Sequence, residues 1–208
     1  MSDSRPHALR CLATLMLWMS GGLILAADPT SIVGIEGHYR VGCWTGVRYT
    51  GSDSVQTIET RDGDGVQVQY QQSRDIGETN WGYVIPGSEA APLILSGQSG
   101  TIETSRFPAE ASPSRGPAMI PLQMPWIVVL GDPLSVEQVG ANKLLNRDAL
   151  IAVSIPKSAS GLPDAVLGYE GVDMMMINAS GADLLKSLDR KRREAIEQWI
   201  KGGGHLFL

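Results

Sequence analysis

Four polar side chains stand where an open α/β sheet would put its chemistry. Asp132 follows the apolar run WIVVL, Ser154 lies within ALIAVSI near its end, and Asn178 and Ser180 follow MMMI. In open parallel sheets, ligands bind beyond the carboxyl ends of the strands. A carboxylate, a carboxamide and two hydroxyls at those ends could hydrogen-bond a polar ligand. The same residue types also cap helices and close turns at such places, and that structural reading is the preferred one. Asp132, Ser154, Asn178 and Ser180 are therefore binding candidates, and no catalytic residue is assigned.

Other motifs fall short of the chemistry they suggest. Cys43 is the only cysteine besides Cys11, which lies in the leader, so a mature chain can form no internal disulfide. Its alternation with Tyr39 and Val41 predicts a buried strand thiol rather than a nucleophile. DGDG at 62–65 invites a calcium loop, but such a loop needs an oxygen ligand where Val66 stands and a closing glutamate. It reads as a hairpin turn. SGQSG at 96–100 resembles a nucleophile elbow, yet Thr101 occupies the position of the second glycine. His38 and His205 have no ligand partners at close spacing, so no metal is expected. The phosphate motif G-x-G-x-x-G is missing, because Gly202–Gly204 follow a helix instead of opening one; no cofactor is expected. RKRR at 190–193 falls in the first turn of a predicted helix, beside Glu194 and Glu197, and reads as a solvated face. NAS at 178–180 fits a glycosylation sequon.

These groups need elements to position them. The 208-residue chain carries a net charge of −5, with 43% hydrophobic and 19% charged residues. That balance suits a globular protein and gives no electrostatic reason for nucleic-acid binding. Residues 1–27 have a basic start, an uncharged apolar run and small residues at the end. They read as a secretory signal peptide. The alternative is an uncleaved N-terminal anchor, disfavoured because a span needs about 20 apolar residues. The expected location is outside the cytoplasm: periplasm, cell envelope or extracellular space.

From 35 to 106 the sequence reads as about six short strands with a period of two, separated by Gly, Pro, Ser and Asp. HYRVGCWTGVRYT, VQTIET, VQVQY, WGYVI, PLILSG and TIETSRF are the runs, and they predict a small antiparallel β-sandwich. Residues 107–125 hold five prolines and read as a connector. From 126 the pattern alternates between β and α. WIVVL, ALIAVSI, MMMIN and HLFL are predicted parallel strands. Ser135 and Gln138 form a capping box for one helix. Asp189 caps a second, whose buried stripe is Ala195, Ile196, Trp199 and Ile200; Gly202–Gly204 end it.

The segment from YEGVDMMMIN to LDRKRREAIEQWIKGGGHLFL resembles the class I glutamine amidotransferase-like, flavodoxin-like domain of large exported, often membrane-anchored bacterial proteins. Tyr169, Gly171, Asp173, Leu188, Ala195, Trp199, Gly202 and Gly203 carry the likeness, which covers about 126–208. YRVGCWTGVRY and DGDG look like the β-domain that precedes it in such proteins. The resemblance implies a β-sandwich followed by an incomplete α/β parallel-sheet domain. Active members place a cysteine on a sharp turn after a central strand, and this half has no cysteine. The chain stops near where that turn would begin, so it reads as an N-terminal fragment.

Three functional readings follow. The leading one is a non-catalytic exported envelope protein with a binding or assembly role. The second is the front part of an exported amidotransferase-like hydrolase. The third is a carbohydrate-binding sandwich using Trp44, Trp81 and Tyr83 as stacking platforms. Partners are an envelope protein, a membrane-anchored continuation, or a second copy docked at the free edge of the last strand.

Overall fold

Short runs of alternating residues build the first half as two antiparallel sheets. The computed structural model describes residues 31–51, 55–72, 81–111, 118–133 and 151–208. The predicted leader 1–27 and the helix opened by Ser135 lie outside the described residues. Strands β1 (Ser31–Val33), β2 (Thr45–Tyr49) and β5 (Trp81–Val84) form one sheet in the order β1-β2-β5. Strands β3 (Thr57–Arg61), β4 (Gln67–Gln71), β6 (Pro92–Gly97) and β7 (Gly100–Arg106) form another, ordered β4-β3-β6-β7. Val33, Val47, Tyr49 and Val84 from the first sheet share a core with Ile58, Leu93 and Leu95 from the second. The DGDG hairpin forms as expected. Asp62 Oδ1 accepts the backbone N–H groups of Asp64 (3.0 Å) and Val66 (2.8 Å), and Gly65 takes the positive φ of +81° that the turn requires.

Two features of this half differ from expectation. Ser31–Val33 supplies a strand ahead of the predicted run. Residues 38–44 are not a strand, because Gly37 and Gly42 adopt φ of +86° and +80° and break the pleat. Cys43 consequently sits half-buried in a turn instead of inside a sheet. The backbone of Tyr39 pairs with the proline-rich segment: its N–H donates to Ala118 O (2.9 Å), and Ile120 N–H donates to Tyr39 O (2.8 Å). Phe107, Ala111, Ala118 and Ile120 are all buried. Proline forbids helix there but leaves extended pairing open.

The second half is a four-stranded parallel sheet. Strands β8 (Trp126–Leu130), β9 (Ala152–Ser154), β10 (Met174–Ile177) and β11 (His205–Phe207) run in the order β9-β8-β10-β11. All five residues of β8 are buried, as a strand covered on both faces demands. Helix α1 (Ala182–Lys186) is a short turn that the sequence reading passed over; α2 (Arg190–Lys201) is the predicted helix. β11 lies at the sheet edge, with Phe207 exposed.

Helix α2 follows its sequence signals closely, with one exception. Asp189 accepts Arg192 N–H at 2.8 Å, filling one of the four orphan donors of a helix start. Ala195, Ile196 and Trp199 are buried and Ile200 is partly so. Gly203 takes the positive φ after the helix, and a Cβ on Gly204 would lie 2.3 Å from the Trp199 ring. The exception is Arg192, which the charged run RKRR predicts on a solvated face. It is buried, donates from Nε to Leu162 O at 2.9 Å, and pairs with Asp189. Its charge is neutralised locally while its donors satisfy a loop carbonyl. Asp189→Ala removes both the cap and this partner, and is expected to cost about 1–2 kcal/mol. Urea unfolding of the two proteins checks this; equal midpoints would contradict it.

Candidate functional site

Strand β8 ends at Leu130, and the chain then turns sharply at Gly131 with φ of +110°. A Cβ there would lie 2.1 Å from Asn178 Oδ1, so only glycine fits. Asn178 follows β10. Its Oδ1 accepts the Ser180 hydroxyl (2.6 Å) and Gly181 N–H (3.2 Å), and its Nδ2 donates to Asp132 O. Asp132 N–H donates to Ser180 Oγ at 2.7 Å. The loops after β8 and β10 are thus stitched together by three of the four candidate residues. These strands are neighbours in space, while the chain between them visits β9 on the far side of β8. That reversal is a topological switch point, where open parallel sheets hold their ligands.

An open crevice of about 480 Å³ lies there, lined by Asp132, Lys157, Ser158, Ser180, Asp183 and Ser187, among others. The sequence reading missed Lys157 and Asp183. Lys157 lies just past the end of β9 after Pro156, so the strand-end rule that found Asp132 would have found it too. The Asp132 and Lys157 side chains belong to exposed residues. One ammonium, two carboxylates and several hydroxyls suit a small ligand bearing both donors and acceptors. Among the described residues no cluster of His, Cys, Asp and Glu is arranged to hold a metal ion.

Ser154, the fourth candidate, does not join the crevice. It is fully buried between the two halves. Its Oγ donates to Ile35 O (3.0 Å), accepts Trp126 Nε1–H (2.9 Å), and lies 2.8 Å from His38 Nδ1. A hydroxyl has one proton and two acceptor sites. The carbonyl of Ile35 can only accept, so the proton goes there and His38 Nδ1 must carry a hydrogen to donate. This fixes the tautomer from the network. A Ser–His contact of this length is also the geometry of an activated nucleophile. Here the serine proton points away from the imidazole, and both side chains are sealed from solvent. The pair acts as a structural node.

Further polar contacts tie the antiparallel half to the parallel half. Arg40 is buried; its Nη2 donates to Asp173 Oδ2 (2.7 Å) and Met124 O (2.6 Å), and Nη1 donates to Asp173 Oδ1 (3.3 Å). Trp126 N–H also donates to Asp173 Oδ2 at 2.7 Å. Burial pushes the Asp173 carboxyl up, but the Arg40 hydrogen bonds, the Trp126 N–H and the charges of Arg40 and His205 outweigh it, leaving it below the usual value. Arg48 Nη1 donates to Ser160 O at 3.0 Å. Tyr83 OH donates to Asp164 Oδ1 (2.5 Å) and accepts the N–H groups of Asp164 and Ala165. Burial, then the Asp164 carboxylate, push the Tyr83 phenol far upward. No family profile, curated protein or solved structure matches the chain.

The stacking platform expected from Trp44, Trp81 and Tyr83 does not form. Trp81 is only 5% exposed, and it packs over Gly46, where a Cβ would come within 2.7 Å of its ring. Tyr83 is held by Asp164. Trp44 borders a groove, and its ring meets Tyr70 edge-on with centroids 5.4 Å apart. Alternation in sequence placed Trp81 and Tyr83 on one face, which is the face covered by the loops at 158–169. Among the described residues, no helix is long and apolar enough to cross a membrane.

Proposed function

We propose that this chain is an exported cell-envelope protein with a binding or assembly role, in which a β-sandwich and an amidotransferase-like α/β domain form one scaffold. The observation that carries this reading is the use made of the strand-end groups. Asn178 and Ser180 direct their hydrogen bonds into the loops they join, and the Ser154 hydroxyl is saturated inside the protein. What remains toward solvent at the crevice is a recognition surface: Asp132, Lys157 and neighbouring hydroxyls. The strand order β9-β8-β10-β11 supports the flavodoxin-like reading, because it matches the 2-1-3-4 part of that topology. The shared core of the two antiparallel sheets supports the sandwich.

The reading makes two linked predictions for the full chain expressed in a Gram-negative bacterium. Residues 1–27 are removed, and the product is recovered from the periplasmic fraction. The purified product releases no ammonia from glutamine above the buffer rate. Intact amino-terminal sequence in the cytoplasmic fraction would overturn export. Glutamine turnover abolished by one point substitution would overturn the binding role.

A further inference from the structure

A second and larger cavity, about 730 Å³, opens at the opposite end of the parallel sheet. It lies where Trp44 of the antiparallel half faces the amino ends of β10 and β11 and the carboxyl end of α2. Its size falls in the range of small-molecule sites, which favour junctions between layers. Val166, Leu167 and Val172 give it an apolar wall, and Leu167 is exposed to the opening.

The charges around it are one-sided. Glu170 and Asp173 line the groove, and among the described residues neither lysine nor arginine does. Asp173 is committed to Arg40, so Glu170 supplies the available charge. Its Oε2 accepts the backbone N–H of Trp44 at 2.6 Å, which ties the carboxylate to the residue that lines the same groove. Gly202–Gly204 bring the negative end of the twelve-residue helix α2 to the same space. The Cys43 thiol next to Trp44 senses this field: burial and then Glu170 push its pKa up, only partly countered by Arg40. A carboxylate, an aromatic ring and a helix carboxyl end each favour a cation and disfavour an anion. His205 also lines the groove.

We infer that this groove binds an organic ammonium ion, with Glu170 and Trp44 receiving the cation and Leu167 and Val172 receiving an apolar body. The site is separate from the switch-point crevice and does not depend on the role proposed for it.

The test uses hexylammonium chloride, titrated into the isotopically labelled full chain and followed by amide chemical shifts. Hexanol and sodium hexanoate are titrated at matched ionic strength. Saturable shifts at Trp44, Glu170 and Gly203 are expected with hexylammonium. Hexanol should bind roughly tenfold more weakly, and hexanoate should leave these amides unmoved. Glu170→Gln keeps an acceptor for Trp44 N–H and should weaken hexylammonium roughly fivefold without changing the melting temperature. Hexanol or hexanoate binding as tightly as hexylammonium would overturn the inference. So would undiminished affinity in Glu170→Gln. The comparison among the three ligands needs no variant and decides the matter even if that variant folds poorly.

Discussion

Arg40→Met is expected to lower the unfolding free energy by about 2–3 kcal/mol at pH 7. Breaking a buried ion pair costs about 3–5 kcal/mol, because one charge is left uncompensated. Here Asp173 is 48% exposed, so water takes over part of its solvation and the penalty falls to the bottom of that range or just below it. Methionine preserves the apolar stem, which isolates the loss of the guanidinium. Met124 O and Asp173 both lose their buried donor. The effect should depend on pH in a fixed direction. The folded Asp173 carboxyl lies below its ordinary range, so its stabilisation is complete above the unfolded value of about 4. It is lost as pH falls through the folded value. The gap between the parent protein and Arg40→Met should therefore be largest at neutral pH and narrow in acid. Urea midpoints at several pH values check this. A gap that widens on acidification would contradict it.

Ser154→Ala is expected to cost about 3 kcal/mol, although it removes a single oxygen. Leaving a buried polar group unsatisfied costs roughly 1–3 kcal/mol, and this hydroxyl serves three groups. Trp126 Nε1–H loses its acceptor, His38 Nδ1–H loses one, and Ile35 O keeps only the N–H of His38. All of them lie in the seam between the halves, where water cannot easily substitute. The indole N–H resonance of Trp126 should move or broaden, while the shifts of Asp132 and Ser180 at the crevice stay in place. A variant within 0.5 kcal/mol of the parent, on the scale of an ordinary surface change, would show that the node is not a stabilising feature.

Much of this architecture was legible because it depends on local pattern. WIVVL and MMMIN read as buried strands because they are short continuous apolar runs, and the stripe of α2 read as helix because side-chain direction there repeats every 3.6 residues. Asp132, Asn178 and Ser180 were legible for the same reason, as the first polar groups past apolar strands. Ser154 was grouped with them because it also ends a strand. Its register is what separates it. Ser154 pairs with Val128 in the middle of β8, whereas β8 continues to Leu130. Where one strand stops relative to its neighbour is a property of pairing, and no single run of residues reports it.

The seam was illegible for a related reason. His38 and Arg40 sat in a run whose alternation suggested a strand, and their partners Ser154 and Asp173 lie more than a hundred residues away. Arg192 was hidden by its charged neighbours. Its burial follows from a loop carbonyl at Leu162 that needs a donor, a demand set by tertiary structure alone. The glycines at 37 and 42 were the available signal that the run was interrupted. Positive φ at both turns the chain so that Tyr39 meets Ala118 and Ile120 instead of extending β2.

We propose that this buried polar seam makes the antiparallel and parallel halves one cooperative scaffold presenting the switch-point crevice. Scanning calorimetry of the purified protein tests this. A single transition is expected, with calorimetric and van't Hoff enthalpies equal, and Ser154→Ala should lower that one transition as a whole. Two separable transitions in the parent protein, with Ser154→Ala shifting one and sparing the other, would contradict the account.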